Sequence, residues 1–521
     1  MSTDNRSQLQ LSLNEIDCNK IGLCVLGSPV GHPSFIQKWL HTKLQALDTA
    51  AELILNFPMK HIQWNLLYWV FRSKINHLLR TVMPCYTETF VTGYDALKRK
   101  IFNRILDIHS ISDSNWIQAC LPIERGGFGL GFIHSIADTA YTSSCITSSQ
   151  FITVVFPNFL PHDSEKSGWC ESLVKSVDTI NKFVDSTDHN ITTITIDELL
   201  LSTNNNDNNK GDTTKLQSYL SSLMDKSHLK QFMTRYITTD TDKARMRSVG
   251  GKHAGAFLRA LSKGVNEVSC NNFSVLCLFR LGMKLPFIPE TLCCDCKSKT
   301  LIGERGEHLH CCTKDGHINH KHNSLVVILE KLCCSAGIKT RREPPHCFIN
   351  SDSDKRPDIR LVKPNLNGTI TRDILLDVSV TFPATASIIT KEKTATKTGA
   401  AALAREKHKR YVYNEKAEEN NFEFAPVVLE TYGRWGKEFS DLFDQLVKHA
   451  WERSGKSIPH AVLKDYWKKR ISMDLQINNA KVFLERTTTL MTGNAVLRGD
   501  EAQYHDNIRE SCVRTNGPRD F

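Results

Sequence analysis

Lys355-Arg-Pro-Asp358-Ile-Arg-Leu-Val362 and Asp373-Ile-Leu-Leu-Asp377-Val-Ser-Val-Thr381 form the stretch on which the reading of this chain turns. Apolar and polar residues alternate from Asp358 to Val362 and again from Leu375 to Thr381, the period of a half-buried β-strand. Between the two runs stands Asn367-Gly368, a two-residue turn signal, because both residues take positive φ at low cost. The expectation is a hairpin. In its second strand Leu376, Val378 and Val380 share one face, and Asp377, Ser379 and Thr381 the other. Asp358 and Asp377 then meet above one sheet, and two converging carboxylates suit a hard cation such as Mg²⁺. Taken alone, each aspartate also has a plain reading. Asp358 after a proline caps turns well, and Asp377 fits a solvated strand position. The surrounding motifs decide between these readings.

A chain of 521 residues is long enough for two to four domains. Its formal net charge of +10 is compatible with nucleic-acid binding without demanding it. Seventeen cysteines raise the question of compartment. The chain opens Met-Ser-Thr-Asp-Asn-Arg-Ser-Gln, with no charged-then-apolar leader, and no apolar run reaches membrane-spanning length. A nuclear or cytoplasmic, reducing setting is expected, with no membrane partner. There, clustered cysteines bind metal more often than they form disulfides.

Along the chain, Cys24-Val-Leu-Gly-Ser-Pro-Val-Gly31 is a short apolar run ended by glycine and proline, and helical patterning follows from Pro33 to about Leu106. Pro84 closes one helix of that series. Leu121-Pro-Ile-Glu-Arg-Gly-Gly-Phe-Gly-Leu-Gly131 is glycine-rich but lacks the spacing of a phosphate-cradling loop, so a structural turn is expected. Thr203-Asn-Asn-Asn-Asp-Asn-Asn-Lys-Gly211 is polar and of low complexity. Farther on, seven Cys and His residues lie between Cys293 and Cys312. Cys293, Cys296, His308 and Cys312 make a Cys₃His set suited to structural Zn²⁺, with Cys294, His310 and Cys311 as alternates. From Lys391 to Arg410 seven Lys/Arg oppose two Glu. Helical spacing there places Ala400, Leu403, Lys407 and Tyr411 on one stripe, the face expected to pack on the sheet.

Val25-Leu-Gly-Ser-Pro-Val-Gly31, Leu78-Leu-Arg-Thr81 and Leu121 to Leu130 resemble the region after the palm in reverse transcriptases of non-LTR retrotransposons. The resemblance implies a thumb that grips template and primer. It implies no polymerisation, since no Asp-Asp pair occurs in the sequence and the chain is expected to start downstream of the palm. The second half is similar to the restriction-like endonuclease of site-specific members of that group. There the order is a CCHC cluster, Lys/Arg-His-Asn, Arg/Lys-Pro-Asp and Asp-Val-x-Val. Here these are Cys293/Cys296/His308/Cys312, Lys321-His322-Asn323, Arg356-Pro357-Asp358 and Asp377-Val-Ser-Val380. That resemblance implies the PD-(D/E)xK fold, a mixed sheet flanked by helices. It also implies Mg²⁺ on Asp358 and Asp377, with Lys407 as a displaced active-site lysine. His322, Asn323 and Arg356 would support the site or touch DNA.

Two departures stand out. Ser379 occupies the place of the motif lysine, and eighteen residues separate Asp358 from Asp377, wider than usual in the group. Asp373 lies nearer the usual gap but at the start of the strand, and Asp377 is preferred.

The expected whole is a multi-domain α+β protein. It divides into a thumb-like helical region (1–200), a polar linker (201–213), a helical connector (214–290), a zinc module (291–320), an α/β restriction-like endonuclease with a mixed sheet (321–450), and a C-terminal helix with a polar tail (451–521). The expected activity is nicking of target DNA for target-primed reverse transcription. Its partners would be target DNA and template RNA, with no small-molecule substrate. The alternatives are an inactive nucleic-acid-binding relic or a fragment of a longer RNA-directed DNA polymerase.

Overall fold

A computed structural model describes residues 21–156, 168–187, 193–204, 213–345, 347–348, 356–364 and 372–492. The Asn367-Gly368 turn, most of the polar run after Thr203 and the tail from Leu497 lie outside these residues. The protein is an α+β molecule, mostly helical, with one small mixed sheet. No helix among the described residues is long and apolar enough to cross a membrane.

The apolar run at Cys24 is a hairpin. Strand β1 (Gly22–Val25) pairs antiparallel with β2 (Ser28–Gly31), and Leu26-Gly27 turn the chain with φ of 49° and 83°. Two successive positive φ values suit the right-handed twist of the flanking strands. Helices α1 (Pro33–Leu55), α2 (Lys60–Leu66), α3 (Asn76–Thr81), α4 (Pro84–Leu106), α5 (Asp113–Cys120) and α6 (Ile133–Val155) follow. Helix α3 stops just before Pro84, and Pro84 itself opens α4, where its missing N–H has no helical partner to lose. Helices α7 (Gly168–Asp185), α8 (Ile196–Asn204) and α9 (Thr213–Arg235) close a small core against α6 through Tyr141, Leu173, Ile180 and Leu220. After α10 (Asp240–Val249) and α11 (Cys270–Leu281), the chain enters the cysteine-rich segment.

The glycine-rich run at 121–131 is the expected structural turn, and its carbonyls are spoken for. Buried Arg280 donates Nη2 to Ile123 O at 2.9 Å and to Gly127 O at 3.1 Å. Buried Lys98 donates to Gly131 O at 3.1 Å, and Arg72 donates to Gly129 O. A loop whose carbonyls face inward onto cations holds the helices together and offers nothing to a phosphate.

The second half begins with α12 (His317–Ser335) and the strands β3 (Lys339–Arg342), β4 (Ile359–Val362) and β5 (Ile374–Thr381). Then come α13 (Ala386–Glu392), α14 (Ala400–Glu419), β6 (Glu423–Glu430), α15 (Lys437–Arg453) and α16 (His460–Thr492). The sheet order is β3-β4-β5-β6. The first three strands are antiparallel, and β6 lies parallel to β5 after the crossover through α14. One face packs Leu361, Leu376, Val378 and Val427 on Leu329 of α12 and Phe443 of α15. The other packs Leu375 and Phe424 on Tyr413 and Ala417 of α14. The half-buried character expected of β5 is therefore corrected. Its alternation is real, but a helix covers each face, as a parallel crossover requires.

The main helical core ignores the boundaries expected near 290 and 451. It runs from Ile36 through Phe279 and includes Ile302 and Leu309 of the cysteine-rich segment and Val482 and Phe483 of α16. Helix α16, about 50 Å long at 1.5 Å per residue, also gives Leu463, Trp467, Ile471 and Leu475 to the sheet's core. This one element ties the two halves together.

Candidate active site and metal centre

Strand pairing carries Asp358 to Asp377. The β4–β5 ladder runs from Leu361↔Ile374 to Ile359↔Leu376, and beyond it Asp358 N donates to Leu376 O at 2.9 Å. Asp358 Oδ2 then accepts from Val378 N at 2.6 Å, so a side chain supplies the acceptor that a continuing strand would have offered. Asp377 points to the opposite face from Leu376 and Val378, under α14, and is buried. Its Oδ2 lies 2.6 Å from Lys409 Nζ. Burial raises the Asp377 carboxyl above its ordinary range. Lys409 and the Tyr413 hydroxyl oppose the rise, and the charge of Asp358 adds to it. Continued by one residue, the antiparallel register sets Asp358 beside Asp377 on the neighbouring strand. Asp373 is occupied elsewhere: it accepts from Arg360 Nε at 2.7 Å and from Lys363 N at 2.8 Å, clamping the far end of the hairpin.

The lysine assignment is corrected. Leu403, Lys407 and Tyr411 form the solvent face of α14, with Tyr411 87 % and Leu403 50 % exposed. The inward stripe is Ala402, Glu406, Lys409, Tyr413 and Ala417. Both stripes have helical spacing, and small alanines at 402 and 417 let the helix approach the sheet on the second one. Two carboxylates fix the rotation of α14. Glu406 Oε1 accepts from Glu438 N at 3.0 Å, taking the place of a side-chain cap that Gly436 cannot provide. Glu430 Oε1 accepts from Ala402 N at 3.2 Å. Burial pushes the Glu406 carboxyl up to about 7. Ser379, two residues after Asp377, accepts from Arg405 Nε at 2.8 Å.

The Lys321-His322-Asn323 run sits in the first turns of α12. Lys321 is buried, donates to Asn479 Oδ1 of α16 at 3.4 Å, and is held down to about 8 by burial. His322 Nε2 lies 3.0 Å from Asp358 Oδ2. Burial disfavours its charged form, but Asp358, Asn323 and Asp377 outweigh that and raise its pKa. Asn323 and Arg356 are exposed. The contact between His322 and Asp358 has no signature in local spacing, because thirty-five residues and one strand intervene.

Among the described residues, Cys294, Cys296, His308 and Cys312 bring their ligand atoms within 4.8 Å of one another. Cys294 Sγ is 3.6 Å from Cys312 Sγ, and Cys296 Sγ is 3.5 Å from His308 Nε2. Tetrahedral zinc with its usual bond lengths asks for edges of roughly 3.8 Å (S–S) and 3.5 Å (S–N). The group can therefore hold a metal ion, and its donors and spacing suit structural zinc. Cys293 is the correction: it is exposed, and Cys294 replaces it. The chain is extended here, with Cys293 bridged to Leu301, so residues two apart share a side and Cys294 turns with Cys296. His310 turns away into the core between Phe279 and Phe483, and Cys311 stays outside the quartet. Arg486 and Lys314 flank the knuckle through the Asp295 carboxylate, and Arg486 Nη2 also reaches Cys294 Sγ at 3.6 Å.

No protein-family model matches this chain, and no curated protein matches it.

Proposed function

We propose that this chain is a Mg²⁺-dependent DNA endonuclease of the restriction-like kind, derived from a retrotransposon and acting to nick target DNA for target-primed reverse transcription. One observation carries the reading. Asp358, just before β4, stands beside Asp377 in the middle of the neighbouring β5, with the amine of Lys409 on Asp377. The donor set fits a hard cation: two carboxylates, one of them buried beyond what a single amine compensates. Bound there, Mg²⁺ supplies an activated water and offsets charge on the scissile phosphate.

The protein's own part is positioning. Asp358 and Asp377 hold the cation, and Lys409 takes the role first expected of Lys407, next to the reacting oxygen. Exposed Arg356, Lys407, Lys339 and Arg341 lie on nearby elements and suit the phosphate backbone. The zinc knuckle braces the helical half, which would grip template RNA and target DNA. No polymerase step is assigned, in the absence of an Asp-Asp pair. A thiol-rich knuckle suits a reducing nuclear or cytoplasmic setting.

Incubation of the full chain with supercoiled plasmid and Mg²⁺ tests the reading. Open circles should accumulate, and both chelation and Asp377→Ala should abolish them. Nicking that survives Asp377→Ala defeats the assignment. A second reading, a binder that does not cut, draws on the existing partners of both carboxylates, His322 and Lys409. Salt-sensitive DNA binding with no nicking in Mg²⁺ or Mn²⁺ would favour it.

A further inference from the structure

We infer that His322 and Asn323 form a relay that locks the Asp358 carboxylate with one oxygen saturated and the other turned to the cation site; the inference rests on the nuclease reading of that site. A carboxylate oxygen offers two lone pairs. Asp358 Oδ2 uses both, one for Val378 N–H at 2.6 Å and one for His322 Nε2 at 3.0 Å. Asp358 Oδ1 has no protein donor among the described residues. The carboxylate is thus held from two directions, by its own hairpin and by α12.

The imidazole is fixed in turn. Its Nδ1 lies 3.1 Å from Asn323 Oδ1, so the ring cannot turn without breaking contacts at both nitrogens. Lys321, immediately before, anchors this turn of α12 to Asn479. Three consecutive residues therefore do three jobs: Lys321 fixes the helix, His322 fixes the aspartate, and Asn323 fixes the histidine. With Nε2 committed to Asp358, His322 is a positioning residue rather than a contact to DNA. The value of such a relay is geometric. A cation that demands near-ideal octahedral ligation loses affinity when one ligand swings. Partners behind metal ligands typically cost 10–100-fold when removed.

Mn²⁺ alone, with the full zinc-loaded chain, is the probe, and the readout is free Mn²⁺ by electron paramagnetic resonance, with no DNA present. The background is set by the Asp358→Asn/Asp377→Asn double variant. We expect His322→Ala to weaken the site about 10–100-fold with unchanged circular dichroism. His322→Gln, whose Nε2 amide reaches the same place, should recover most of the loss, and Asn323→Ala should show a smaller one. Where His322→Ala fails to fold, the comparison of Asn323→Ala with His322→Gln carries the test, since Asn323 is exposed. Wild-type affinity in both His322→Ala and Asn323→Ala, with binding still lost in the double aspartate variant, overturns the relay and leaves the nuclease reading standing. Equal weakening by His322→Ala and His322→Gln also overturns it. Mn²⁺ binding unaffected by the double aspartate variant removes the nuclease reading itself.

Discussion

Replacing Lys409 with methionine should be costly in a way that replacing Lys407 is not. The Lys409 side chain is 15 % exposed and that of Asp377 is 5 % exposed, and the charges lie 2.6 Å apart. At an effective dielectric near 20, that separation corresponds to about 6 kcal/mol of gross attraction, most of it offset by the cost of taking both groups out of water. Removing only the amine leaves the carboxylate buried without its partner, a change that typically costs about 3–5 kcal/mol. Asp377 can escape part of that by taking a proton, since burial already raises its carboxyl. The loss in Lys409→Met should therefore be smaller at pH 5 than at pH 8. The double variant Asp377→Asn/Lys409→Met has no buried charge at the pair and should recover most of the stability, while nicking stays lost in both. Lys407→Met, on the exposed face, should stay within about 0.5 kcal/mol of the parent. Calorimetric unfolding at the two pH values, run beside the plasmid assay, reads all of this. Equal destabilisation by Lys407→Met and Lys409→Met, or a double variant no more stable than the single, would refute a buried Lys409–Asp377 pair.

Two further expectations concern elements around the site. Cys293→Ser should keep one zinc per chain by elemental analysis, whereas Cys294→Ser should lose it. Opening the knuckle would also loosen Ile302 and Leu309, whose burial is worth about 1.5–3 kcal/mol each, so the melting temperature should fall with the zinc; zinc loss in Cys293→Ser would reject the assigned quartet. Glu406→Gln tests the cap of α15. With the folded carboxyl raised to about 7 from 4.5, the folded state holds its proton longer than the unfolded one, so this group costs stability as pH rises from about 4.5 to 7 and the full cost applies above 7. The glutamine keeps the acceptor for Glu438 N–H without the charge. It should stabilise by up to about 3 kcal/mol at pH 8 and by almost nothing at pH 4; an equal gain at both would show that charge is not the cause.

Much of the layout was legible in the residues alone. The alternation from Ile374 to Val380 placed Asp377 opposite Leu376 and Val378, because a strand's two-residue period leaves one choice once the apolar set is assigned. The density of Cys and His between 293 and 312 announced a group able to hold a metal ion, since thiols and imidazoles crowd that closely for few other reasons. Asp373 could be set aside from its position at the strand's start, and its bonds to Arg360 and Lys363 now explain what it does there. Tertiary structure decided the members of each set. Two stripes of α14 had equal helical spacing. Contacts from Glu430 and from the start of α15, neither local in sequence, rotated Lys409 inward and Lys407 out. Between adjacent Cys293 and Cys294 no spacing rule could choose, because the answer depends on whether the backbone is extended or turned at that point. His322 meets Asp358 only because α12 packs beside the hairpin. Periodicity fixes which side of an element a residue occupies, but the packing of elements fixes which side faces the site.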